Sequence, residues 1–568
     1  MAGMTLAEAT AHLVATDPLF ALGEAEIFGV RHPVFANTPQ TLRELQQYGR
    51  EVRQWDDYIV YQEERVTYET YCALSNKISH ILTERLGVKP GDRVAIAMRN
   101  YPEYLPLFMG IVNVGAVAVL VNAWWTTEEL TYGFEDSGAK LVFADGPRLE
   151  RIAPFAAEND ITMVGVRDAE AEVMLDDLIS QTEETRWPTT PIDPDADFGL
   201  MYSSGSTGHP KGVVLTHRGA VSAIFSWIFG MKLPPLMAPA DEQPPTPGLQ
   251  CSMIATPLFH VTASHPLFLT SMGLGAKLVL MHKWDPAEAL RLINAEKVTR
   301  FVGVPTMPAE MEAVARAEGI ETPSLEALIA GGAKRPAAQV APEAETFQGV
   351  SIGSGWGMTE TNALGIGIAG PQYRERPNDI GVLMPPLQEL KIVDDQRREV
   401  APGVLGELMV KGPNLMRCYH NKPEATAEAL QDGWFLTGDL GLIDADGCVT
   451  ILDRKKNIII RGGENISGLE VEAAIHRHAD VIEAAAFAVE DKRLGEAVGV
   501  CVQTAPGAAL TGAALNTFLA DWLASFKHPA HIWWTDQTLP RGATDKTDRR
   551  AIKQLCEDGA FGAKDTTL

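Results

Sequence analysis

A segment rich in hydroxyl side chains and glycine spans residues 202–213 and has the sequence YSSGSTGHPKGV. Backbone N–H groups and hydroxyls in such a loop donate hydrogen bonds to phosphate oxygens, and Lys211 adds a point charge. Because Lys211 follows Pro210, the spacing differs from the GxxxxGK(S/T) loop of common kinases and GTPases. The segment therefore predicts a phosphate site of another type, and a flexible Ser/Gly linker is the alternative.

Further short segments follow in a fixed order: 255–260 (ATPLFH), 330–333 (AGGA), 355–361 (GWGMTET), 437–441 (TGDLG), 453–456 (DRKK), 462–466 (GGENI) and 539–546 (LPRGATDK). Together with the loop and with residues 87–94 (GVKPGDRV), this ordered set resembles the adenylate-forming superfamily. That superfamily contains acyl-CoA synthetases, aryl-CoA ligases, firefly luciferases and peptide-synthetase adenylation domains. The quoted segments from the loop onward extend over more than 340 residues, so the resemblance covers most of the chain.

The resemblance implies a two-step reaction. A carboxylate has no leaving group that a thiol could displace, so ATP with Mg²⁺ first converts it to an acyl-adenylate and releases pyrophosphate. Coenzyme A then takes the acyl group. The expected function is ligation of a medium- or long-chain fatty acid, or an aryl-alkanoic acid, to coenzyme A. Loading of a carrier protein remains an alternative, as does a non-catalytic nucleotide- or acyl-binding homologue.

Four catalytic residues are implied by the resemblance. Lys546 would reach the reacting carboxylate and phosphate, where negative charge builds up. Glu360 would bind Mg²⁺, which usually takes one or two protein carboxylates when phosphates supply other oxygens. Thr359 would donate to a phosphate oxygen, and His260 would gate the acyl channel. A solvated acid is the alternative for Glu360, and a core histidine is the alternative for His260.

The same resemblance implies a nucleotide and coenzyme A site. Asp439 would accept both ribose hydroxyls and Trp356 would stack on adenine, while Thr207 would join Glu360 at the magnesium ion. The alternatives are a core tryptophan for Trp356 and a plain salt bridge for Arg454. The predicted binding residues are Ser203, Ser204, Gly205, Ser206, Thr207, Gly208, Lys211, Gly331, Gly332, Trp356, Gly357, Asp439, Arg454, Lys456, Gly462, Gly463 and Glu464.

Within that set, Lys456 would be the hinge about which the C-terminal domain turns, with a solvated Lys455–Lys456 pair as the alternative. Residues 462–464 would border the coenzyme A tunnel. The Gly331–Gly332 pair follows an apolar run and predicts a strand end where backbone approaches a ligand, or else a plain turn.

The sequence departs from the family pattern at two loop positions, and the small size of a third residue bears on the substrate. Asp545 replaces the usual glycine before Lys546, and Gly468 replaces the usual proline at a helix start. In acetate-specific relatives a tryptophan closes the acyl pocket at the position of Gly357. A glycine there predicts a pocket deeper than acetate.

Elements that would position these residues follow an alternating pattern. Short Val- and Ile-rich runs predict buried strands separated by helices, at residues 93–98, 116–121, 141–144, 163–166, 277–281 and 301–304. Such alternation predicts an α/β fold with doubly wound, mainly parallel sheets. The uncharged stretch 105–121 approaches the length of a membrane span, but a buried helix that leads into a strand explains its sequence better.

The pattern changes towards the C-terminus. Shorter strands with turn residues between 389 and 410 predict a small antiparallel β subdomain. After Arg454 the helix and strand pattern predicts a smaller α+β domain. We therefore predict an N-terminal adenylation domain at 1–453, which binds ATP and the acyl substrate, and a mobile C-terminal domain at 454–568, which carries the catalytic lysine.

Composition limits the function classes. The chain has 568 residues and is 46% hydrophobic, which excludes general disorder and favours more than one structural unit. A net charge of −26 argues against a nucleic-acid surface, and six dispersed cysteines favour neither disulfides nor a zinc site. We expect a cytoplasmic enzyme with a small carboxylic acid as its partner and no transmembrane segment. A homodimer is left open.

Overall fold

The computed structural model describes residues 3–203, 210–239, 248–542, 547–561 and, for the backbone only, 565–566. Three predicted groups of residues fall elsewhere: the loop residues Ser204, Gly205, Ser206, Thr207 and Gly208, then Asp545, and the lysine Lys546. These residues lie outside the described part of the chain, so their expected roles stay predictions from the sequence.

The first large sheet is formed mainly by strands from the N-terminal half of the chain, with one short strand from further along. Its strands are, in spatial order, Cys418–Tyr419, Lys211–Thr216, Asp197–Ser203, Val117–Leu120, Arg93–Ala97, Leu141–Ala144 and Thr162–Gly165. The last five are mutually parallel, and the other two add antiparallel pairs at one edge. Most strand residues are buried on both faces, as expected where helices cover a parallel sheet.

The second large sheet has nine strands in the described part of the chain. Its strands are Val382–Leu383, Ile366–Ala369, Ser351–Trp356, Ala327–Gly331, Arg300–Gly303, Cys251–Ile254, Lys277–Leu280, Asp57–Tyr61 and Glu64–Thr67. Parallel pairing runs from Ser351–Trp356 to Asp57–Tyr61, and the outer strands are antiparallel. A separate hairpin pairs Leu22–Ile27 with Val30–Phe35.

Helices of the N-terminal part cover both sheets. The α-helices are Leu6–Thr16, Leu42–Val52, Tyr68–His80, Tyr104–Asn113, Thr127–Ser137, Gly146–Asn159, Leu175–Ser180, His217–Met237, Val261–Ala263, Thr270–Leu274, Pro286–Glu296, Thr306–Glu318, Val340–Thr346, Gly370–Glu375 and Pro423–Ala429. Short 3₁₀ turns are Pro18–Phe20, Ala337–Gln339 and Thr359–Thr361, and π-helical turns are Ile81–Arg85 and Ser264–Leu269.

The uncharged stretch 105–121 forms the predicted helix and strand, Tyr104–Asn113 followed by Val117–Leu120, and both elements are buried. Of the described helices, His217–Met237 is long and apolar enough to cross a membrane, with a mean hydropathy of 1.3. More than half of its apolar window, 56%, is buried inside the protein. Such burial is typical of a core helix.

An antiparallel subdomain follows the second large sheet. It consists of Glu389–Val393, Gly406–Lys411, Trp434–Ile443, Leu430–Gln431 and Val449–Arg454. Every pair in this sheet is antiparallel, which confirms the subdomain predicted from the turn residues. Its last strand brings Arg454 opposite Asp439.

The C-terminal part has its own sheet and core. The strands are Ile458–Arg461, Glu464–Ser467, Val481–Asp491, Gly495–Thr504, His531–Thr535 and Asp565–Thr566. The helices are Gly468–Ile475, Gly512–Leu519 and Arg549–Glu557, with 3₁₀ turns at Lys455–Asn457 and Ser525–Lys527. The architecture confirms the α/β class with a large N-terminal part, a small antiparallel subdomain and a smaller α+β unit.

Candidate active site

A cavity of about 3180 Å³ runs along the second large sheet and extends to the C-terminal part. The carboxyl ends of Ala327–Gly331 and Ser351–Trp356 line it, and Arg549 contributes from the other side. Ligands of open α/β sheets bind at the carboxyl ends of the strands, because loops there leave a crevice. The cavity is therefore where the predicted site residues should meet.

The Gly331–Gly332 pair lies at that edge. Gly331 is the last residue of its strand and pairs with Gly355 of the neighbouring strand. Gly332 has a φ of +78°, a conformation that L side chains rarely adopt, so glycine is required for this turn. Both glycines line the cavity, in agreement with the predicted strand end.

Trp356, Asp439 and Arg454 form one cluster. The Trp356 Nε1–H donates to Asp439 Oδ2 at 2.7 Å, and Arg454 Nε lies 2.9 Å from Asp439 Oδ1. Asp439 is only 3% exposed. Burial raises its pKa, and the Arg454 charge and the indole N–H oppose that rise. The structure thus brings together three predicted residues and adds a tryptophan–carboxylate hydrogen bond that the sequence did not predict.

Glu360 lies on the 3₁₀ turn Thr359–Thr361 and is buried beside Tyr419. The Tyr419 hydroxyl donates to Glu360 Oε1 at 2.8 Å, and Lys211 Nζ lies 4.7 Å from the centre of the Tyr419 ring. Burial and the Glu360 carboxylate raise the pKa of Tyr419, so its hydroxyl stays a donor. Sequence reasoning missed Tyr419, since nothing in the spacing connects it to Glu360.

The two lysines at the start of the C-terminal part differ in their surroundings. Lys455 Nζ contacts the carboxylates of Asp395 at 2.9 Å and Glu407 at 3.2 Å. Lys456 lines the cavity instead. Burial lowers the pKa of Lys456, and the Arg454 charge contributes to that decrease. Lys455 is therefore paired with the antiparallel subdomain, while Lys456 faces the site.

Ser203 and Lys211 flank the predicted phosphate loop. They are register partners in an antiparallel pair, and the Ser203 hydroxyl donates to the Lys211 carbonyl at 3.3 Å. Both residues line the cavity. The two ends of the loop are thus anchored at the site by neighbouring strands.

His260 begins the short helix Val261–Ala263 and accepts the Thr262 N–H at 3.2 Å through Nδ1. Its side chain lines the cavity. Thr359 is buried and lines the same cavity. Both predicted residues are therefore at the site.

Gly357 also lines the cavity, and close backbone packing accounts for a glycine at this position. A Cβ atom at this position would lie 2.1 Å from the carbonyl oxygen of Ala363. Any side chain there requires a backbone shift, so the glycine reflects close backbone packing. This contact does not measure pocket depth, so the pocket deeper than acetate stays a prediction from the sequence.

Gly462 and Gly463 form a two-residue turn, with φ values of +60° and +91°, between Ile458–Arg461 and Glu464–Ser467. Two consecutive positive φ values are typical of a hairpin turn of type I′, which favours glycine. Neither glycine lines the described cavity, and Glu464 does not line it either. The structure thus leaves these three predicted residues away from the others.

Arg300 is a site residue that sequence reasoning missed. The predicted strand began one residue later, at Phe301, because its apolar run begins there. In the structure, Arg300 is the first residue of Arg300–Gly303 and lines the cavity, together with Met231 and Trp227 of helix His217–Met237. A charge at the start of an apolar, buried strand was the available signal.

Comparison with known proteins agrees with this geometry. Residues 49–420 match the family described as AMP-binding enzyme, and residues 470–546 match the AMP-binding enzyme C-terminal domain. A feruloyl-CoA synthase from Amycolatopsis sp is 32% identical over 488 residues, covering 85% of this chain and 93% of that protein. A 2-succinylbenzoate–CoA ligase from Geobacillus kaustophilus is 34% identical over 472 residues, covering 83% and 89%.

Solved structures show the same architecture. An o-succinylbenzoate CoA synthetase from Bacillus subtilis, in complex with its acyl-adenylate intermediate, superposes with a TM-score of 0.78 and 28% identity. The match covers 92% of this chain and 99% of that one. An ATP-bound MatB from Rhodopseudomonas palustris gives a TM-score of 0.80 at 26% identity, over 91% and 99%.

The fold and the two family matches define an adenylate-forming enzyme. The chain belongs to the AMP-binding enzyme family, as its ordered motifs predicted. By class it is an AMP-forming ligase of the acyl- and aryl-CoA ligase type.

Proposed function

We propose that this enzyme activates a medium- or long-chain fatty acid or an aryl-alkanoic acid as its acyl-adenylate and transfers the acyl group to coenzyme A. The carrying observation is that Asp439, Trp356, Glu360 and Lys211 line one cavity at the carboxyl edge of the second large sheet. The cations at this edge suit the phosphates of a nucleoside triphosphate, and the two carboxylates suit its ribose and a metal ion.

The nucleotide end would hold ATP. Asp439 would accept the ribose hydroxyls, since each carboxylate oxygen has lone pairs beyond those used by Trp356 and Arg454. The carboxylate is held from two sides, so its orientation is set before the nucleotide arrives. Such preorganisation reduces the cost of ordering the site on binding.

Glu360 would bind the magnesium ion. The described residues form no group of three or more His, Cys, Asp or Glu side chains suited to a metal, so a cage made of protein ligands is not indicated there. A single buried carboxylate fits Mg²⁺, which keeps phosphate and water oxygens as its other ligands. Bound Mg²⁺ would neutralise phosphate charge. The hydrogen bond from Tyr419 would orient Glu360 towards the ion. The hydroxyls of Thr359 and Thr207 would donate to phosphate oxygens.

In the first half-reaction, a carboxylate oxygen of the acid bonds to the α-phosphorus and pyrophosphate leaves. Lys211 and Lys456 would supply positive charge near the phosphates, and Lys546 would reach the carboxylate and α-phosphate. Positioned cations are effective where charge develops in the transition state. In the second half-reaction, the thiol sulfur bonds to the acyl carbon, AMP leaves and the thiol proton is lost.

We propose a domain boundary at residues 453–454, with Lys456 as the hinge. The strand Val449–Arg454 pairs within the antiparallel subdomain, whereas Ile458–Arg461 belongs to the C-terminal sheet. Turning about Lys456 would carry residues 462–464 to the coenzyme A path. Cytoplasmic location and a homodimer stay predictions from the sequence.

The acyl chain would occupy the cavity beyond the Gly331–Gly332 pair. Its wall there includes Trp227, Met231 and Val302, which are apolar and suit an alkyl chain or an aromatic ring. The relatives with the names feruloyl-CoA synthase and 2-succinylbenzoate–CoA ligase act on aromatic acids, which supports the aryl-alkanoic class.

The test is pyrophosphate release from ATP and Mg²⁺ with acids from acetate through palmitate to phenylpropanoates, each with and without coenzyme A. We expect release and a CoA thioester with one of the larger acids. Release without thioester would mean another acceptor, such as a carrier protein. No release with any acid would contradict the proposal.

A further inference from the structure

Arg300 lines the cavity beside the apolar wall where we propose that the acyl chain lies. Successive residues of a strand point to opposite faces of the sheet, and in Arg300–Gly303 the residues Arg300 and Val302 line the cavity. Phe301, on the other face, packs in the core under helix Pro286–Glu296. The arginine is therefore on the same face as the acyl wall.

The charge of Arg300 has no carboxylate partner among the described residues. Its Nη1 donates to the Met231 sulfur at 3.3 Å, and its Nε is buried without a hydrogen-bond partner in the described part of the chain. A thioether is a weak acceptor, so it replaces little of the lost hydration. Burial lowers the pKa of Arg300 to about 10, so the group is still a cation at neutral pH.

A second arginine on the same cavity wall shows what pairing looks like here. Arg335 Nη1 lies 2.9 Å from Glu343 Oε2, and both side chains are fully buried. Arg335 therefore brings its own counter-charge. Arg300, which is half-buried and borders the cavity, does not do so among the described residues.

The position of Arg300 fits the far end of a bound acid. Arg300 pairs with Ala327, which lies four residues before Gly331 on the neighbouring strand. At about 3.3 Å per residue, this places the Arg300 backbone about 13 Å from the carboxyl edge where the reacting carboxylate would lie. An acid of the size of a substituted phenylpropanoate or a medium-chain fatty acid would extend towards Arg300.

We propose that the substrate carries a second carboxylate at its far end and that Arg300 binds it, so that the enzyme converts a dicarboxylic acid to its mono-CoA thioester. This inference rests on the proposed function and narrows its substrate class to ω-carboxy or carboxyaryl-alkanoic acids. Arginine forms bidentate hydrogen bonds with a carboxylate, and these bonds are strong because both partners are charged. A monoacid would leave the desolvated cation unpaired, which disfavours it.

The experiment compares matched acids with wild-type enzyme and two variants. The acid pairs are decanoate with decanedioate, and 3-phenylpropanoate with 3-(4-carboxyphenyl)propanoate. We expect at least a 10-fold higher kcat/KM for thioester formation with the better diacid than with its monoacid. In Arg300→Met this preference should disappear, mainly through a higher KM for the diacid, while the monoacid rate stays the same or rises.

Arg398→Met is the matched control, because it makes the same substitution at an exposed arginine that pairs with Asp394; it should retain the preference. The melting temperature of each variant checks folding. A wild-type enzyme that uses the monoacids at least as well as the diacids overturns the inference, whichever group then neutralises Arg300. An unchanged preference in Arg300→Met also overturns it. Failure to form any CoA thioester would instead contradict the proposed ligase function.

Discussion

The two ends of the cavity treat charge differently. At the end that we propose for the nucleotide, Asp439 already contacts Arg454 and Trp356, and Glu360 already accepts from Tyr419. At the end that we propose for the acyl chain, Arg300 lies beside Met231 without a carboxylate partner among the described residues. Paired groups hold their orientation for a ligand that is common to a whole family, whereas an unpaired one selects a ligand that supplies the missing charge.

Arg335 and Arg300 line the same cavity but differ in pairing, so we expect one to stabilise the fold and the other to select the substrate. Arg335 and Glu343 are a buried ion pair, so removal of either partner leaves an uncompensated charge. Removal of Arg300 leaves no uncompensated charge in the described part of the protein. The contrast leads to predictions about activity at the nucleotide end and about stability at the wall.

The largest effect is expected for Lys546→Ala. Loss of a cation at the developing charge should lower the rate of adenylate formation by about 10²- to 10³-fold. Thioester formation from a supplied acyl-adenylate should change little. Pyrophosphate release and thioester formation are measured separately, and equal losses in both halves would contradict the role. Relative rates among acids should not change, because the acyl end sets the selectivity.

Glu343→Gln should lower the free energy of unfolding by about 3 kcal/mol, because it leaves the buried Arg335 cation without its counter-charge. Denaturant unfolding measures this change. Arg300→Met, measured alongside, should be as stable as the wild type or more stable. A large loss of stability in Arg300→Met would show that Arg300 also has a structural partner and would remove the contrast between the two arginines.

Asp439→Ala should raise the KM for ATP by about 10- to 100-fold, since hydrogen bonds to a charged group contribute about 1.5 to 3 kcal/mol. It also leaves Arg454 unpaired, so the nucleotide end would resemble the acyl end. Steady-state kinetics with ATP varied and acid saturating measure the effect. Arg398→Met, on an exposed arginine that pairs with Asp394, serves as the control and should have wild-type kinetics. An unchanged KM in Asp439→Ala would exclude a ribose role.

The smallest effect is expected for Trp356→Phe. It keeps an aromatic ring for adenine but removes the N–H that donates to Asp439. This hydrogen bond acts on ATP only through the orientation of Asp439, which Arg454 still holds, so we expect a KM for ATP about 2- to 10-fold higher. Trp356→Leu removes the ring as well and should cost more. Equal effects of the two variants would mean that the ring does not stack on the base.

Much of the fold was predictable from short apolar runs. The strands Arg93–Ala97 and Leu141–Ala144 and the helix Tyr104–Asn113 lie where the alternation of patterns put them. A buried parallel strand needs a continuous apolar run, so its position can be recognised from a short stretch of sequence. Strand order and the shared edge were not predictable, because they depend on which strands pair across long stretches of chain.

The candidate site was predictable only where a motif carried it. Asp439, Glu360 and the glycines at 331–332 belong to motifs, and the structure brings them to one cavity. Tyr419 was missed, since a lone tyrosine has no distinguishing neighbours. Arg300 was missed although a charge at the start of an apolar strand was a signal. The sequence singled out Gly357 for its small size, but the close approach of the Ala363 carbonyl to it depends on the fold and could not be predicted.

The sequence by itself determined the family, the chemistry and the alternation of helices and strands, because motif order and apolar periodicity are local properties of the chain. The tertiary structure alone decided that Trp356 donates to Asp439, that Tyr419 donates to Glu360, and that Arg300 lines the same cavity. Those contacts join residues far apart in the chain. Whether a charge is paired depends on which side chains the completed fold places beside it.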